Sequence, residues 1–281
     1  MPKMGTPDQM TGKTAKDQSP PRLFLSVDMV GSTQFKARFT GKDSADWLDT
    51  FRTFFTNFPL MLAGQVGFEF LDDEGSTPAV DVWKVMGDEM IFVAQPSSPE
   101  EMTAILCALL RTMQLYEDRH YEKLPLRLKG TAWLADFNGQ NIEIDIPELS
   151  DDGGQHIDFI GPDIDLGFRL SKYSRPSSLV LSIELVDILL TAQNSSMAAL
   201  YLVGSEILKG VMFGRPYPIF WMHLADEEFM FFPWETEACS LMDKAMNMTP
   251  TPEPELLQAI GDMRHYLKKM QGIEQPVMTL G

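Results

Sequence analysis

Arg22-Leu-Phe-Leu-Ser-Val-Asp-Met-Val-Gly-Ser-Thr-Gln-Phe35 holds the first residues whose types and spacing suit chemistry. An apolar run from Leu23 to Val27 delivers a carboxylate, Asp28, followed by Gly31, Ser32 and Thr33. Asp28 can bind a hard cation. The backbone N–H groups of Val30, Gly31, Ser32 and Thr33 would open a helix, where an anion is favoured. A strand, a turn and a helix cap would account for the same residues without any chemistry. A second carboxylate, Asp88, sits in Lys84-Val-Met-Gly-Asp88 between two strand-like runs. Alone, a Gly-Asp pair there is an ordinary hairpin turn.

The elements that must position these residues follow in order. Helices are expected over Gln34 to Phe39 and Ser44 to Leu62, the latter with Trp47, Leu48, Phe51, Phe54, Phe55 and Phe58 at helical spacing. Gln65 to Leu71 alternates and predicts a strand. Val80 to Ala94 predicts a hairpin, Glu100 to Arg119 an amphipathic helix, and Leu126 to Ala135 a strand. Asp136 to Gln155 reads as a long acidic excursion. His156 to Ile160 predicts a short strand, and Gly161-Pro162 opens a helix to about Ser174. Ser178 to Ser182 predicts a strand, Ile183 to Thr191 a helix and Pro218 to Leu224 a last strand. Alternating strands and helices point to an α/β or α+β sandwich with one helical face.

The chain has 281 residues and a net charge of −17. That charge disfavours nucleic acid and anionic lipid as partners. A site for a nucleoside triphosphate would need metal ions and local Lys or Arg. Cys107 and Cys239 are expected to be free thiols in a reducing cytoplasm. No apolar run is long enough to span a bilayer. Residues 1–21 read as a disordered tail, 22–224 as the main folded domain and 225–281 as a helical appendage after a change in composition.

Three segments together resemble the class III nucleotidyl cyclase catalytic domain. They are Phe24-Leu-Ser-Val-Asp-Met-Val-Gly-Ser-Thr33, Lys84-Val-Met-Gly-Asp88, and Asp158-Phe-Ile-Gly-Pro-Asp-Ile-Asp-Leu-Gly-Phe-Arg-Leu170 followed by Ser178-Leu-Val-Leu-Ser182. Order and spacing match from about Arg22 to Leu224. The resemblance implies a ferredoxin-like α+β core and a head-to-tail homodimer with two interfacial sites. It implies that Asp28 and Asp88 hold two Mn²⁺ or Mg²⁺ ions per site, and that Arg169 acts on the partner's α-phosphate. Asp165 stands where the family usually has an asparagine that orients the ribose; an Asp165–Arg169 surface ion pair is the equal alternative. The resemblance also makes Lys84 and Asp158 the base-reading pair, of the types found in adenylyl cyclases. Such a pair suits adenine, cytosine or uracil and disfavours guanine. A triphosphate-binding lysine usual after Lys209-Gly210 is absent, leaving Lys209 or Arg215 as substitutes.

The stand-alone layout and the acidic insert look like the bacterial pyrimidine cyclases of the Pycsar anti-phage systems. On that likeness UTP is the expected substrate and cyclic UMP the product, a second messenger for a separate effector. Trp83, Phe159 and Tyr173 are candidates to narrow the base pocket. Cytidylate cyclase, ordinary adenylyl cyclase and a non-catalytic nucleotide-binding domain are the alternatives.

Overall fold

A computed structural model describes residues 19–38, 44–71, 77–147, 156–192, 198–224 and 249–273, together with 278 and 280. The expected tail to residue 18, the Met-rich stretch 225–248 and Cys239 lie outside the described residues.

The chain first builds β1 (Arg22–Val30), α1 (Ser32–Arg38), α2 (Ser44–Glu69), β2 (Val80–Met86), β3 (Glu89–Ala94), α3 (Pro99–Tyr116) and β4 (Arg127–Ala135). These give the sheet order β2-β3-β1-β4, all antiparallel. That order and connection are the ferredoxin-like pattern, and the mixed α+β class is as expected. Then come β5 (Ile142–Asp145), β6 (Ile157–Ile160), α4 (Pro162–Leu170), β7 (Leu179–Leu181), α5 (Ile183–Leu189), β8 (Ala198–Ile207), β9 (Pro216–Leu224) and α6 (Glu253–Gln271). β7 joins β4 in parallel, and β9 and β8 complete the seven-stranded sheet.

Strand alternation divides the sheet into two unlike faces. Leu23, Leu25, Val27 and Met29 of β1, with Met90 and Phe92 of β3, belong to a large apolar core. Phe54 and Phe58 of α2, Leu106 and Leu109 of α3 and Leu185 of α5 pack into it. Leu256, Ile260, Met263 and Leu267 of α6 enter the same core, so this last helix is packed into the body of the molecule. On the other face Phe24, Trp83, Ile91, Trp133, Phe159 and Ile164 form a smaller cluster. Lys84 and Asp158, singled out by sequence, lie beside Trp83 of this second cluster.

Three expectations need correction. Gln65 to Leu71 is not a strand, because α2 runs through to Glu69. Val66 is buried against the core one helical turn beyond Leu62, and Glu69 bonds Arg111 of α3, so tertiary packing overrides a short alternating pattern. The acidic excursion contains β5, which pairs with β6 as a separate two-stranded hairpin. β8 was not expected at all. It is an edge strand in which Ile207 is exposed, and a bulge between Leu202 and Gly204 shifts its register.

Candidate functional site

The sequence-predicted residues fall into three groups. In the first, β1 places Asp28 at its end, directly opposite Glu89 of β3. The β2–β3 turn carries Asp88, whose carbonyl accepts the Met29 N–H at 3.3 Å. The two aspartates, far apart in sequence, therefore sit at the same end of adjacent strands. Gly31 follows at φ +86, a left-handed backbone that glycine adopts without strain. A Cβ there would meet the Pro125 carbonyl at 2.8 Å. The Gly31 carbonyl accepts the Phe35 N–H and so opens α1. Ser32 is buried and its hydroxyl donates to Asp88, whereas Thr33 is exposed. Ser32 thus positions Asp88 instead of capping its own helix.

In the second group, Lys84 Nζ lies 2.6 Å from Asp158 Oδ1. The approach depends on a bulge in β2, where the register jumps between Val82 and Lys84. Bulging re-aims side chains that strict alternation would send to opposite faces. Trp83 is buried against Phe24, Phe159 and Phe168, with Phe24 and Phe159 centroids both 5.2 Å away. Its Nε1 donates to Asp158 at 3.1 Å, and Lys84 Nζ stands 4.0 Å from its ring centroid. Burial works to raise the Asp158 pKa, but hydrogen bonds from Lys84, the Phe159 N–H and Trp83 outweigh it and hold the carboxyl below its usual range. Arg22 braces the β5–β6 hairpin through Glu143 at 2.6 Å and lies over the Phe159 ring. Of the three residues expected to narrow a base pocket, Trp83 and Phe159 belong to the aromatic cluster, while Tyr173 packs against the larger core on the other side.

In the third group, α4 carries Asp165 and Arg169. Its start is tied down by Asp163, which accepts from Asn141 at 2.6 Å and from the Asp136 N–H at 3.2 Å. Gly167 packs its bare Cα against the Trp133 indole. Arg169 donates to the Asp165 carbonyl at 2.8 Å and to the Lys209 carbonyl. The Arg169 and Asp165 side chains stand 3.8 Å apart, with Asp165 well exposed. The i,i+4 ion pair is therefore present, and Asp165 stays open to solvent. Arg215 lies 5.9 Å from the Tyr266 ring of α6, and the Lys209 side chain is exposed.

Two residues escaped sequence reasoning. Glu89 follows Asp88 directly, and its carboxyl is raised chiefly by burial and further by Asp28 and Asp88, against the Ser26 hydroxyl and Lys129. Lys129 of β4 pairs with Asp28 at 3.1 Å. Alternation along β4 put Lys129 on the face of Thr131 and Trp133, but only the strand register shows that this face is also Asp28's.

Among the described residues no group of three or more His, Cys, Asp and Glu side chains is arranged to hold a metal ion. Asp28 and Asp88 fit a hard divalent cation of the Mg²⁺ or Mn²⁺ kind, which binds through one or two carboxylates and takes its other ligands from water and phosphate. No described helix is long and apolar enough to cross a membrane.

No protein-family model matches the chain, and no curated protein matches it either. Solved structures do. An adenylyl cyclase, CyaB from P. aeruginosa, is 14% identical at TM-score 0.50, over 72% of this chain and 93% of that one. The guanylate cyclase domain of RhGC from Catenaria anguillulae, in complex with GTP, is 10% identical at TM-score 0.51, over 73% and 97%. The fold is that of the class III nucleotidyl cyclase catalytic domain. A rhodopsin-guanylyl cyclase core with converted specificity, in complex with ATPalphaS, adds an 11% identical match at TM-score 0.52, over 74% and 97%. At these identities the likeness belongs to the cyclase fold, and the chemistry must be argued from this chain's own residues.

Proposed function

We propose that the protein is a nucleotidyl cyclase that converts a nucleoside triphosphate to its 3′,5′-cyclic monophosphate and diphosphate. The observation that carries this is the convergence of Asp28 and Asp88 at one end of the β1–β3 pair, on a cyclase fold. Two divalent cations held there would activate the 3′-hydroxyl and offset the leaving group's charge. Ser32 holds the Asp88 carboxylate, and the backbone of Val30 to Thr33 lies beside the position proposed for the phosphates. Arg169 supplies a guanidinium for charge that builds on the α-phosphate. Asp165, exposed one turn earlier on α4, is positioned to accept from a ribose hydroxyl. In this proposal Arg169 and Asp165 serve the metal pair of a partner subunit, so the working form is a homodimer.

Lys84 and Asp158 read the base. An ammonium beside a carboxylate suits a base edge with an acceptor next to a donor, which adenine, cytosine and uracil provide; guanine is disfavoured because these residue types resemble those of adenylyl and not guanylyl cyclases. ATP is the substrate that the adenylyl cyclase and ATPalphaS-bound structures favour. UTP is the second reading. It is favoured by Trp83, whose ring lies beneath Lys84 and beside Asp158 and would leave less room for a purine. The pyrimidine product would then signal to a separate effector in anti-phage defence.

Purified protein incubated with equal ATP, UTP, CTP and GTP plus Mn²⁺, with products read by mass, tests all of this. A cyclic product other than cyclic GMP is expected. Dominant cyclic GMP overturns the assignment of Lys84 and Asp158. No cyclic product from any nucleotide, with binding retained, makes the protein a non-catalytic nucleotide-binding domain.

A further inference from the structure

Three carboxylates meet at the end of β1: Asp28 itself, Asp88 on the β2–β3 turn, and Glu89 facing Asp28 from β3. Lys129 faces the same group from the opposite side. It pairs with Asp28 in the β1–β4 register, so Glu89, Asp28 and Lys129 form a row across three adjacent strands on one sheet face. Its Nζ is 3.1 Å from Asp28 Oδ2, and the two side chains are only 22% and 28% exposed. A solvated surface lysine would not be held this way. The ammonium occupies one of the two oxygens through which Asp28 could bind a cation.

Building on the reading of Asp28 and Asp88 as metal carboxylates, we propose that Lys129 is a built-in counter-ion that competes with the divalent cation for Asp28. Without metal, Lys129 offsets the repulsion among the carboxylates. A divalent ion brings twice the charge and must displace the ammonium, whose four-carbon stem can swing aside. The site therefore fills only above a metal threshold that Lys129 sets.

The test is Mn²⁺ binding to the free protein, without nucleotide, followed by the electron paramagnetic resonance signal of unbound Mn²⁺. Lys129→Met should bind Mn²⁺ on the order of tenfold more tightly than wild type, since a unit charge in contact with Asp28 has been removed. Lys129→Arg, which keeps the charge, should bind as wild type does. In a chelator Lys129→Met should melt below wild type, and added Mn²⁺ should raise its melting temperature by more. Lys129→Gln serves if the Met variant fails to fold. Equal or weaker Mn²⁺ binding in the neutral variants, including none in any protein, overturns the competition. Binding that Asp28→Asn leaves untouched overturns the metal assignment itself, and this inference with it. Cyclase activity is not needed for any of these readouts, so a failed substrate assignment would be seen separately.

Discussion

At the scale of single residues, Asp28 and Asp88 differ in their surroundings although both are carboxylates at one strand end. Asp28 is paired to Lys129, while Asp88 is held by the Ser32 hydroxyl. Asp28→Asn or Asp88→Asn should lower cyclase turnover by at least about a hundredfold, because each removes a charge the transition state needs. Thermal melting should change little, since a partly exposed ion pair contributes about 1 kcal/mol or less. Wild-type turnover in either variant would remove that residue from the metal site. A separate titration belongs to Glu184, buried in α5, where burial pushes its carboxyl up to about 7. The sign follows from proton binding. Between the unfolded value near 4.5 and about 7, the folded chain keeps a proton that the unfolded chain loses, so this group costs stability as pH rises through that window. Glu184→Gln should gain on wild type progressively from about pH 5 to pH 7 in denaturant melts, by up to about 3 kcal/mol. A difference that is flat with pH would show that Glu184 ionises normally.

At the scale of elements, the proposed base-reading pair, Lys84 and Asp158, depends on two hairpins meeting over aromatic rings. The β2 bulge brings Trp83 into the cluster and leaves Lys84 beside it, and the β5–β6 hairpin brings Asp158. Phe24 from β1 stacks on Trp133 with centroids 5.4 Å apart and supports both. Helix α4 is set against this layer by Gly167, where an added methyl would run into the Trp133 indole. Gly167→Ala should therefore cost about 1–3 kcal/mol through overpacking. It should also reduce turnover more than substrate affinity, because Arg169 lies on the same helix and would move with it. A variant as stable and active as wild type would show that α4 can shift without harm to Arg169.

At the scale of the whole molecule, Arg169 makes its bonds to the carbonyls of Asp165 and Lys209, while Asp28 and Asp88 sit in a different group of contacts. The proposed site takes its two halves from two chains. Asp28→Asn and Arg169→Ala homodimers should each be inactive, and a mixture of the two should regain up to about half the activity per mixed dimer, since one of its two sites receives intact halves. Native mass spectrometry checks that mixed dimers form. Mixed dimers without activity would count against a shared site.

The sequence by itself determined most of the framework and the residues proposed to bear chemistry. Asp28, Asp88, Lys84, Asp158, Asp165 and Arg169 stand in local motifs, each with its own turn or helix signal, and local signals survive without tertiary information. The β2–β3 hairpin and the helix with Trp47, Phe51, Phe54 and Phe58 were legible for the same reason, since their periodicities are strong. Tertiary structure decided what depends on pairing between distant strands. Lys129 meets Asp28, and Glu89 meets both aspartates, only because β4 and β3 flank β1 in one register. The extension of α2 past Leu62 came from Val66 and Glu69 finding partners on the core and on α3. The placement of β5 and β8 was likewise hidden, because short or bulged edge strands carry little alternation of their own and owe their conformation to the strand beside them.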